Sequence, residues 1–427
     1  MKLRTLFKIP VLLCLASVFG ILQLYVYLIR LEVTENPDNK LNEIVQHLNL
    51  FDSVCLSALA NASNARYLVD KYRVSQIRNK THQKNDREVT ENCTEFSRHL
   101  TSLAHMTDIE RDFPIAFSVL VYRDPQQAMR LLRAIWRPQN VYCIHVDTGS
   151  QFDVLTYIMS RVRCLDNVFL APRMIDVRWG TFSVLEADLI CMEALYKHKT
   201  RWKYFINLTG QEFPLKTNYE LVKILKLYAG GNDIFGQVNK VNPSRIRKLG
   251  PAPHGIKPAK GPIHMVASRG FVDYVLHNQT AKDFLEWVRL MRVPDETYFT
   301  SLNNNPHLRI PGSFTGRLDK SRHHNFYLDS RLRYKIFVYN KSYPKCHGKA
   351  RHSVCLFGVG DLPGLVGAPH IFANKFLYRY QQFAYDCLER WIFKKMEAEK
   401  HGQLDFDLSP YSNIYFMNNC YCEQQHR

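Results

Sequence analysis

The sequence predicts an α/β protein with a Rossmann-like, mostly parallel sheet, preceded by an N-terminal transmembrane helix. Two patterns carry this prediction. Short apolar runs rich in β-branched residues alternate with segments whose apolar residues recur at helical spacing. One apolar segment near the N-terminus is long enough to cross a bilayer. The chain has 427 residues, of which 46% are hydrophobic. We therefore expect a sizeable core.

The alternation of strands and helices begins at residue 113. Residues 113–121 (FPIAFSVLV) and 140–147 (NVYCIHVD) are typical of buried strands, and residues 125–136 between them have the apolar spacing of a helix. The order continues with a strand at 167–171, a helix at 183–198, a strand at 204–208 and a helix at 219–228. Such repeated βαβ units predict a parallel sheet.

Ligands of such sheets bind at the carboxyl ends of the strands. Tyr122 and Arg123 follow the first predicted strand, Asp147 ends the second, and residues 210–212 follow a later one. We therefore expect the binding site near these residues.

The N-terminal apolar segment runs from Ile9 to Ile29, and about 20 residues suffice to span a bilayer. Lys2, Arg4 and Lys8 precede it, which keeps the N-terminus in the cytoplasm. A cleaved signal peptide is the alternative, but its apolar region is only about 7–15 residues long, and no clean A-x-A site follows. The predicted organisation is a cytoplasmic tail (1–8), an anchor (9–29), a lumenal stem (30–112) and a catalytic domain (113–427).

Two features agree with a lumenal location. Six N-x-S/T sequons are present, at Asn61, Asn79, Asn92, Asn207, Asn278 and Asn340. Of the 11 cysteines, Cys14 lies in the predicted anchor and ten follow it, without a CxxC…CxxC zinc pattern. In an oxidising lumen such cysteines form disulfides, whose connectivity the sequence alone leaves open.

The net charge of +18 favours anionic partners, namely nucleic acid, acidic membranes or phosphorylated small molecules. The basic residues are scattered, which disfavours nucleic acid. No GxxxxGK[ST] or well-placed GxGxxG is present, and the turn at 358–361 is weak evidence for a phosphate site.

Several side chains could carry chemistry. A transfer to a hydroxyl group needs a base. The candidate carboxylates are Glu296, Glu212, Asp188 and Asp361, and the candidate cations are Lys375, Arg351 and His352. The sequence pattern alone does not choose among the four carboxylates.

Long segments of the chain resemble the core 2 and I-branching β-1,6-N-acetylglucosaminyltransferase family. The resemblance is carried, in order, by PQNVYCIHVD (138–147), EADLICMEALY (186–196), the INL-x-G-x-x-FPLKTN stretch (206–218), VPDE (293–296), IPGSF (310–314), SVCLFGVGDL (353–362) and HIFANKF (370–376). It implies a GT-A fold, an inverting and metal-independent transfer of N-acetylglucosamine from UDP-GlcNAc, a glycoprotein O-glycan or poly-lactosamine acceptor, and a type II protein of the Golgi membrane.

The resemblance also implies roles for individual residues. Glu296 falls on the catalytic base, which deprotonates the acceptor 6-hydroxyl, and Lys375 on a lysine that neutralises the departing diphosphate. The residues that fall on the nucleoside-binding turn or frame the uridine are Asp147, Thr148, Gly149, Leu120, Val121, Tyr122 and Trp179, the last replacing a tyrosine.

The family's disulfides would be Cys55–Cys387, Cys93–Cys164, Cys143–Cys191 and Cys346–Cys355. Thr209 stands at the position of a free family thiol, and Cys420 and Cys422 have no partner in this scheme.

No metal is expected, because the DxD motif that often holds one is missing. Asp147 is followed by Thr148 and Gly149, and Asp405-Phe406-Asp407 matches in letters only, in a segment that we interpret as a solvated tail. Basic side chains would then stabilise the diphosphate.

The chain departs from the family in two places. The family arginine before SVC is His352 here, with Arg351 one position earlier, so either Arg351 takes its place or donor binding is weakened. The acceptor stretch IFGQVNKVNPSRIRK (234–248) is shorter and lacks the family's acidic residue, and a family tyrosine becomes Phe337 unless Tyr339 substitutes.

These departures leave two alternatives to the main prediction. One is a weak or inactive family member that binds glycans or other enzymes in the Golgi. The other is an enzyme with a different donor sugar, such as xylose. The oligomeric state is open, and a dimer is one candidate.

Overall fold

The computed structural model describes residues 50–60, 67–72, 93–238, 240–316, 330–417 and 419–422. The described residues divide into two compact units, the first ending at Val54 and the second beginning at Cys55. In these described ranges, no helix is both long and apolar enough to cross a membrane. The predicted anchor and the sequons at Asn61, Asn79 and Asn92 lie outside the described residues.

The second unit is built on a five-stranded sheet. Its strands are β1 (Ile115–Val121), β2 (Val141–Val146), β3 (Val168–Leu170), β4 (Tyr204–Thr209) and β8 (Val266–Ser268), in the order β3-β2-β1-β4-β8. The first four strands of the chain run parallel, and β8 is antiparallel to β4. The strand order reverses between β1 and β4, and a crevice at such a point is where open α/β sheets bind ligands.

Helices cover both faces of this sheet. The main ones are α1 (Cys93–Leu103), α2 (Asp108–Arg111), α3 (Pro125–Ile135), α4 (Phe152–Val162), α5 (Phe182–Lys197), α6 (Asn218–Tyr228), α7 (Pro243–Ile246), α8 (Arg269–His277), α9 (Gln279–Arg289), α10 (Tyr298–Asn303), α11 (Leu362–Val366) and α12 (Gln382–Lys400). Local sequence explains several starts: Pro125 occupies the first position of α3, and Thr217 with Glu220 forms a capping box at α6.

Alternation along β1 divides the core into two layers. Phe117 and Val119 pack into one apolar cluster with residues of α3, α4 and α6. Ala116, on the opposite face, belongs to a second cluster with residues of α5, α8 and α9. Because successive side chains of a strand point to opposite faces, one apolar strand can serve both layers, as buried parallel strands do.

Three small sheets complete the unit. The first contains β5 (Glu212–Pro214), β12 (Phe372–Asn374) and β9 (Arg333–Tyr334), in the order β5-β12-β9. The others pair β6 (Gln237–Val238) with β7 (Ala259–Lys260), and β10 (Lys349–Arg351) with β11 (Val354–Leu356). These short strands carry Glu212, Lys260, Arg333 and Arg351, which are discussed below.

Five disulfides link the described residues. Four have the pairing that the resemblance implies: Cys55–Cys387, Cys93–Cys164, Cys143–Cys191 and Cys346–Cys355. The fifth joins Cys420 to Cys422, which have no partner in the family scheme. The bonds of Cys55 and Cys93 tie part of the predicted stem to the residues that follow it.

The mostly parallel sheet predicted from the sequence is confirmed. Each strand and helix predicted between residues 113 and 228 is present, with ends shifted by no more than two residues. Helix α4 was not predicted, although its apolar residues Val154, Ile158 and Val162 have helical spacing.

Candidate active site

The carboxyl ends of β1, β2 and β4 meet at one edge of the sheet. The backbone N–H of Asp147 donates to the carbonyl of Val121 at 2.8 Å, and that of Gly210 donates to Leu120 at 2.9 Å. Tyr122 follows at the surface, with 48% of its area exposed. The residues expected to frame the uridine therefore adjoin the turn that begins at Asp147.

Asp147 organises this turn through its own side chain. Its Oδ1 accepts hydrogen bonds from the backbone N–H groups of Gly149 at 2.8 Å and Val177 at 3.2 Å. The N–H of Thr148 donates to the carbonyl of Ile175 at 3.1 Å. Thr148 and Gly149 are exposed, so the turn presents its outer face to a ligand.

The segment after β3 that contains Ile175 and Val177 continues to Trp179, whose side chain is 80% exposed. Directly after it, the carbonyl of Gly180 accepts a hydrogen bond from the N–H of Val293 at 2.9 Å. Val293 has a φ of 57°, which is unfavourable for a β-branched residue. It precedes the 3₁₀ turn Pro294–Glu296. This hydrogen bond links the exposed tryptophan loop to the turn that carries Glu296, and such strain is often concentrated at functional sites.

Glu296 is surrounded by basic side chains. Its Oε2 lies 2.7 Å from Nη1 of Arg245, on α7, and 3.5 Å from Nζ of Lys260, on β7. Its backbone carbonyl accepts a hydrogen bond from Gly261 at 3.0 Å. A side chain at position 261 would meet the carbonyl oxygen of Phe235 at 2.1 Å, so only glycine allows this close approach.

Exposure separates Glu296 from the three other candidate carboxylates. Its side chain is 31% exposed, whereas Asp188, Glu212 and Asp361 are buried. Asp188 accepts hydrogen bonds from Ser118 and Asn207, and burial raises its pKa to about 6. The Asp361 carboxylate accepts from the backbone N–H groups of His347 and Gly358. Of these four carboxylates, Glu296 is the one that a substrate can reach.

Two of the candidate cations approach each other. Lys375 directly follows β12, and its carbonyl accepts a hydrogen bond from Phe357 at 3.1 Å. Burial lowers the pKa of Lys375, and the nearby charge of Arg351 lowers it further. Arg351 ends β10 and is exposed, while His352 follows it in the connecting turn with a φ of 48°. The charge of Arg351 therefore acts on Lys375.

A third cation, Lys335, was missed by the sequence analysis. It follows β9 directly, while Lys375 follows β12, and the two strands are parallel neighbours with Ala373 opposite Tyr334. Lys335 and Lys375 therefore leave the sheet at the same edge. The pKa of Lys335 is lowered to about 8, mainly by burial. The charge of Lys375 also lowers this pKa, whereas the charges of Glu212 and Glu296 raise it. The short strand before Lys335 has too few residues to show a sequence pattern.

The small sheet is held by a buried polar network around Glu212. The Glu212 carboxylate accepts hydrogen bonds from Nδ2 of Asn374 at 2.8 Å and Nε of Arg333 at 3.1 Å. The guanidinium of Arg333 also donates to the carbonyl of Asn207. Glu212 thereby fixes Asn374, directly before Lys375, and Arg333, two residues before Lys335. It does not face solvent, so its effect on the site is one of positioning.

Two other sequence interpretations can be compared with the structure. Asp405 and Asp407 are exposed, and the Asp407 carboxylate accepts from the backbone of Ser409, as expected for a solvated segment. Within the described ranges, one group of metal-ligand side chains lies close enough to hold an ion, Cys346, Cys355 and Asp361. Its two cysteines form a disulfide and have no thiolate to offer.

The predicted glycosylation at Asn207 does not fit the folded protein. Asn207 lies within β4 and is 4% exposed, and its side-chain nitrogen donates to Asp188 and to the carbonyl of Ile263. A glycan on this nitrogen would remove one of its two N–H donors and would require space that this buried position lacks. Asn278 and Asn340 are partly exposed, and each uses its side-chain oxygen in a local turn, which leaves the nitrogen directed elsewhere.

An α/β domain with cations at a sheet edge and a reachable carboxylate is typical of a group transferase that uses an anionic donor. Residues 115–365 match the model of the family described as Branch: Core-2/I-Branching enzyme. The chain belongs to the core-2/I-branching enzyme family. Its mixed α/β architecture with a mostly parallel central sheet agrees with a GT-A-like glycosyltransferase.

Relatives extend the match beyond the family model. The chain is 36% identical over 318 residues to beta-1,3-galactosyl-O-glycosyl-glycoprotein beta-1,6-N-acetylglucosaminyltransferase 4 of Danio rerio, covering 68% of this chain and 72% of the relative. It is 34% identical over 343 residues to beta-1,3-galactosyl-O-glycosyl-glycoprotein beta-1,6-N-acetylglucosaminyltransferase of Homo sapiens, and the match covers 73% of this chain and 78% of the relative. The Bos taurus enzyme of the same name is 34% identical over 329 residues, which cover 72% of this chain and 76% of the relative.

Proposed function

We propose that this protein is a β-1,6-N-acetylglucosaminyltransferase that moves N-acetylglucosamine from UDP-GlcNAc to the 6-hydroxyl of a galactose or N-acetylgalactosamine in a glycoprotein O-glycan or poly-lactosamine chain. Membership of the family and the names of the relatives support the reaction class. The donor, the acceptor and the roles of individual residues are proposals.

The proposed reaction is one displacement with inversion. Glu296 removes the proton from the acceptor hydroxyl, and that oxygen attacks C1 of the sugar from the face opposite the diphosphate. The C1–O bond to UDP breaks, and its electron pair leaves with the diphosphate. The reachable Glu296 carboxylate and its position beside the tryptophan loop support this role.

Lys375 and Arg351 would stabilise the departing diphosphate. The charge of Arg351 lowers the pKa of Lys375, and two such cations are well suited to an anion that carries more than one negative charge. Arg351 would then take the place of the family arginine that His352 replaces. Asp147, Thr148, Gly149, Leu120, Val121, Tyr122 and Trp179 would hold the nucleoside at the sheet edge, and no divalent metal would be required.

The observation that carries the proposal is the shared edge of β9 and β12. It brings Lys335 next to Lys375, and the charges of Glu296 and Lys375 both act on Lys335. This supports a base and a leaving-group site around one centre, as an in-line displacement requires.

The test is transfer by the secreted domain, residues 31–427, from radiolabelled UDP-GlcNAc to a panel of O-glycan and poly-lactosamine acceptors, with and without a chelator. We expect transfer that persists in chelator. We also expect UDP to raise the melting temperature, because a ligand that binds only the folded state stabilises it. A folded domain that neither binds UDP nor transfers the sugar would contradict the proposal, and transfer from UDP-xylose alone would contradict the donor.

The membrane topology is also proposed rather than observed. The apolar segment 9–29 and the basic residues before it support a type II orientation in the Golgi membrane, with the catalytic domain in the lumen. The disulfides among the described residues agree with an oxidising compartment. Protease protection of the full-length protein in sealed microsomes would test this topology, and digestion of the catalytic domain without detergent would contradict it.

A further inference from the structure

The Glu296 carboxylate is outnumbered by the positive charges around it. Arg245 and Lys260 both approach Oε2, at 2.7 Å and 3.5 Å. Lys335 is close enough for Glu296 to influence its protonation. One carboxylate can neutralise only one of these three cations.

The neighbouring carboxyl group of Asp295 does not neutralise the remaining positive charge. Asp295 is buried, and its pKa is raised to about 7 by burial and by the charge of Glu296. It therefore carries only part of a negative charge near neutral pH. Glu212 is already engaged by Arg333 and Asn374. A cluster with surplus positive charge remains around the proposed base.

This surplus lies on the acceptor side of the centre. A base must contact the hydroxyl that it deprotonates. Groups within 4 Å of the Glu296 carboxylate therefore border the bound acceptor. Arg245 and Lys260 come from α7 and β7, whereas Lys375 and Arg351 come from the neighbourhood of β12 and β10. The first pair belongs to a different part of the fold from the proposed diphosphate site.

We propose that the acceptor of this enzyme carries an anionic group, a carboxylate or a sulfate ester, within about one sugar of the reacting hydroxyl, and that Arg245, Lys260 and Lys335 bind it. The inference rests on the proposed function and names its substrate class. The planar guanidinium of Arg245 can bind a carboxylate or sulfate through two parallel hydrogen bonds.

The Arg245–Glu296 ion pair gives this preference a second consequence. While Arg245 is bound to Oε2, it competes with the acceptor hydroxyl for the base. An anion on the acceptor offers Arg245 another partner and releases the carboxylate. The anionic group then raises kcat as well as lowering KM.

The experiment compares three acceptors that differ in one substituent: the aryl glycoside of Galβ1-3GalNAc, its galactose 3-O-sulfate, and its α2,3-sialylated form. We expect kcat/KM to be about tenfold or more higher for at least one anionic acceptor. The sulfated and sialylated arms distinguish the two kinds of anion.

Variants connect the preference to the cluster. In the Arg245→Gln/Lys260→Gln double variant, we expect the ratio of kcat/KM for anionic over neutral acceptor to fall towards one, while UDP still raises the melting temperature. Lys199→Gln/Lys282→Gln is the matched control, because both lysines are exposed and two positive charges are removed in each double variant. It should leave the ratio unchanged.

The outcomes separate this inference from the proposed function. Equal use of all three acceptors, or a preference that survives the double variant, would overturn the inference and leave the transferase proposal intact. A folded domain that binds UDP, but transfers sugar neither to these three acceptors nor to any acceptor of the wider panel, would overturn both proposals.

Discussion

The donor side and the base side of the site are held together in different ways. On the donor side, Asp147 and Gly210 are fixed by main-chain hydrogen bonds to β1, and the turn after Asp147 is closed by further backbone N–H groups. On the base side, Glu296 sits in a short 3₁₀ turn and is held by ion pairs with Arg245 and Lys260. Backbone bonds set positions that depend little on side-chain chemistry, whereas ion pairs make the base side sensitive to individual substitutions.

The largest expected effect is on the base side. Glu296→Gln keeps the size of the side chain and removes its ability to accept a proton. Because general base catalysis contributes about 10²–10⁴-fold, we expect kcat to fall by that factor, with UDP stabilisation unchanged. The measurement is the steady-state rate alongside thermal unfolding with and without UDP.

Glu286→Gln provides the control for that loss. Glu286 is exposed on α9, where it pairs with Arg289, and the same substitution should leave kcat within error. A Glu296→Gln enzyme that keeps most of its activity would show that another group accepts the proton.

The next effect concerns stability and comes from the network beneath the donor cations. Glu212→Ala leaves the Arg333 guanidinium buried without its carboxylate partner. Removing one partner of a buried ion pair costs about 3–5 kcal/mol, and we expect a loss of that order in the free energy of unfolding by urea. Glu212→Gln retains one acceptor oxygen, for either Asn374 or Arg333, and should lose less. Equal losses in the two variants would show that the negative charge of Glu212, and not its hydrogen bonds, stabilises this network.

A smaller effect decides which residue replaces the missing family arginine. We expect Arg351→Gln to lower kcat about tenfold to a hundredfold, because a cation near the leaving diphosphate is lost, and His352→Gln to change it little. Lys345→Gln, at an exposed position nearby, controls for the general loss of positive charge. If His352→Gln is the more damaging variant, then the imidazole and not Arg351 supports the diphosphate.

The contrast between the two sides also explains what the sequence could predict. The strands of the large sheet were predicted because each is a continuous apolar run, and the positions of Tyr122 and Asp147 followed from where those runs end. Glu296 and Lys375 were assigned from the resemblance, since a single charged residue in an irregular segment has no periodic pattern.

Lys335, Arg245 and Lys260 could not be found in this way. They lie on or beside strands of two residues and a helix of four, and they meet Glu296 only because the chain folds back through β7 and β9. Elements of this length have no periodicity to detect. The burial of Asn207 was missed for a related reason: a sequon is recognised from three residues, whereas burial depends on the β4 strand and its neighbours.

The smallest expected effect is the pH dependence of acceptor choice. It tests whether Lys335 acts on the base side of the site, where the acceptor binds, rather than on the donor side. The groups whose charges act on Lys335 are Glu212, Lys375, Glu296 and Arg333, and burial brings its pKa to about 8. Lys335 is therefore charged below this value and neutral above it. We expect the ratio of kcat/KM for anionic over neutral acceptor to fall severalfold from about pH 7 to about pH 9.

Taking the ratio cancels effects on the donor, including the lowered pKa of Lys375, because both acceptors use the same donor site. Lys335→Gln should flatten the profile. The same shift affects stability in the opposite direction. Above about pH 8 the unfolded chain binds more protons at this residue than the folded protein does, so its contribution to stability rises with pH up to the ordinary lysine value of 10.5. A profile that is flat in the unsubstituted enzyme would mean that Lys335 does not face the acceptor, and the anion would then be bound by Arg245 and Lys260 alone.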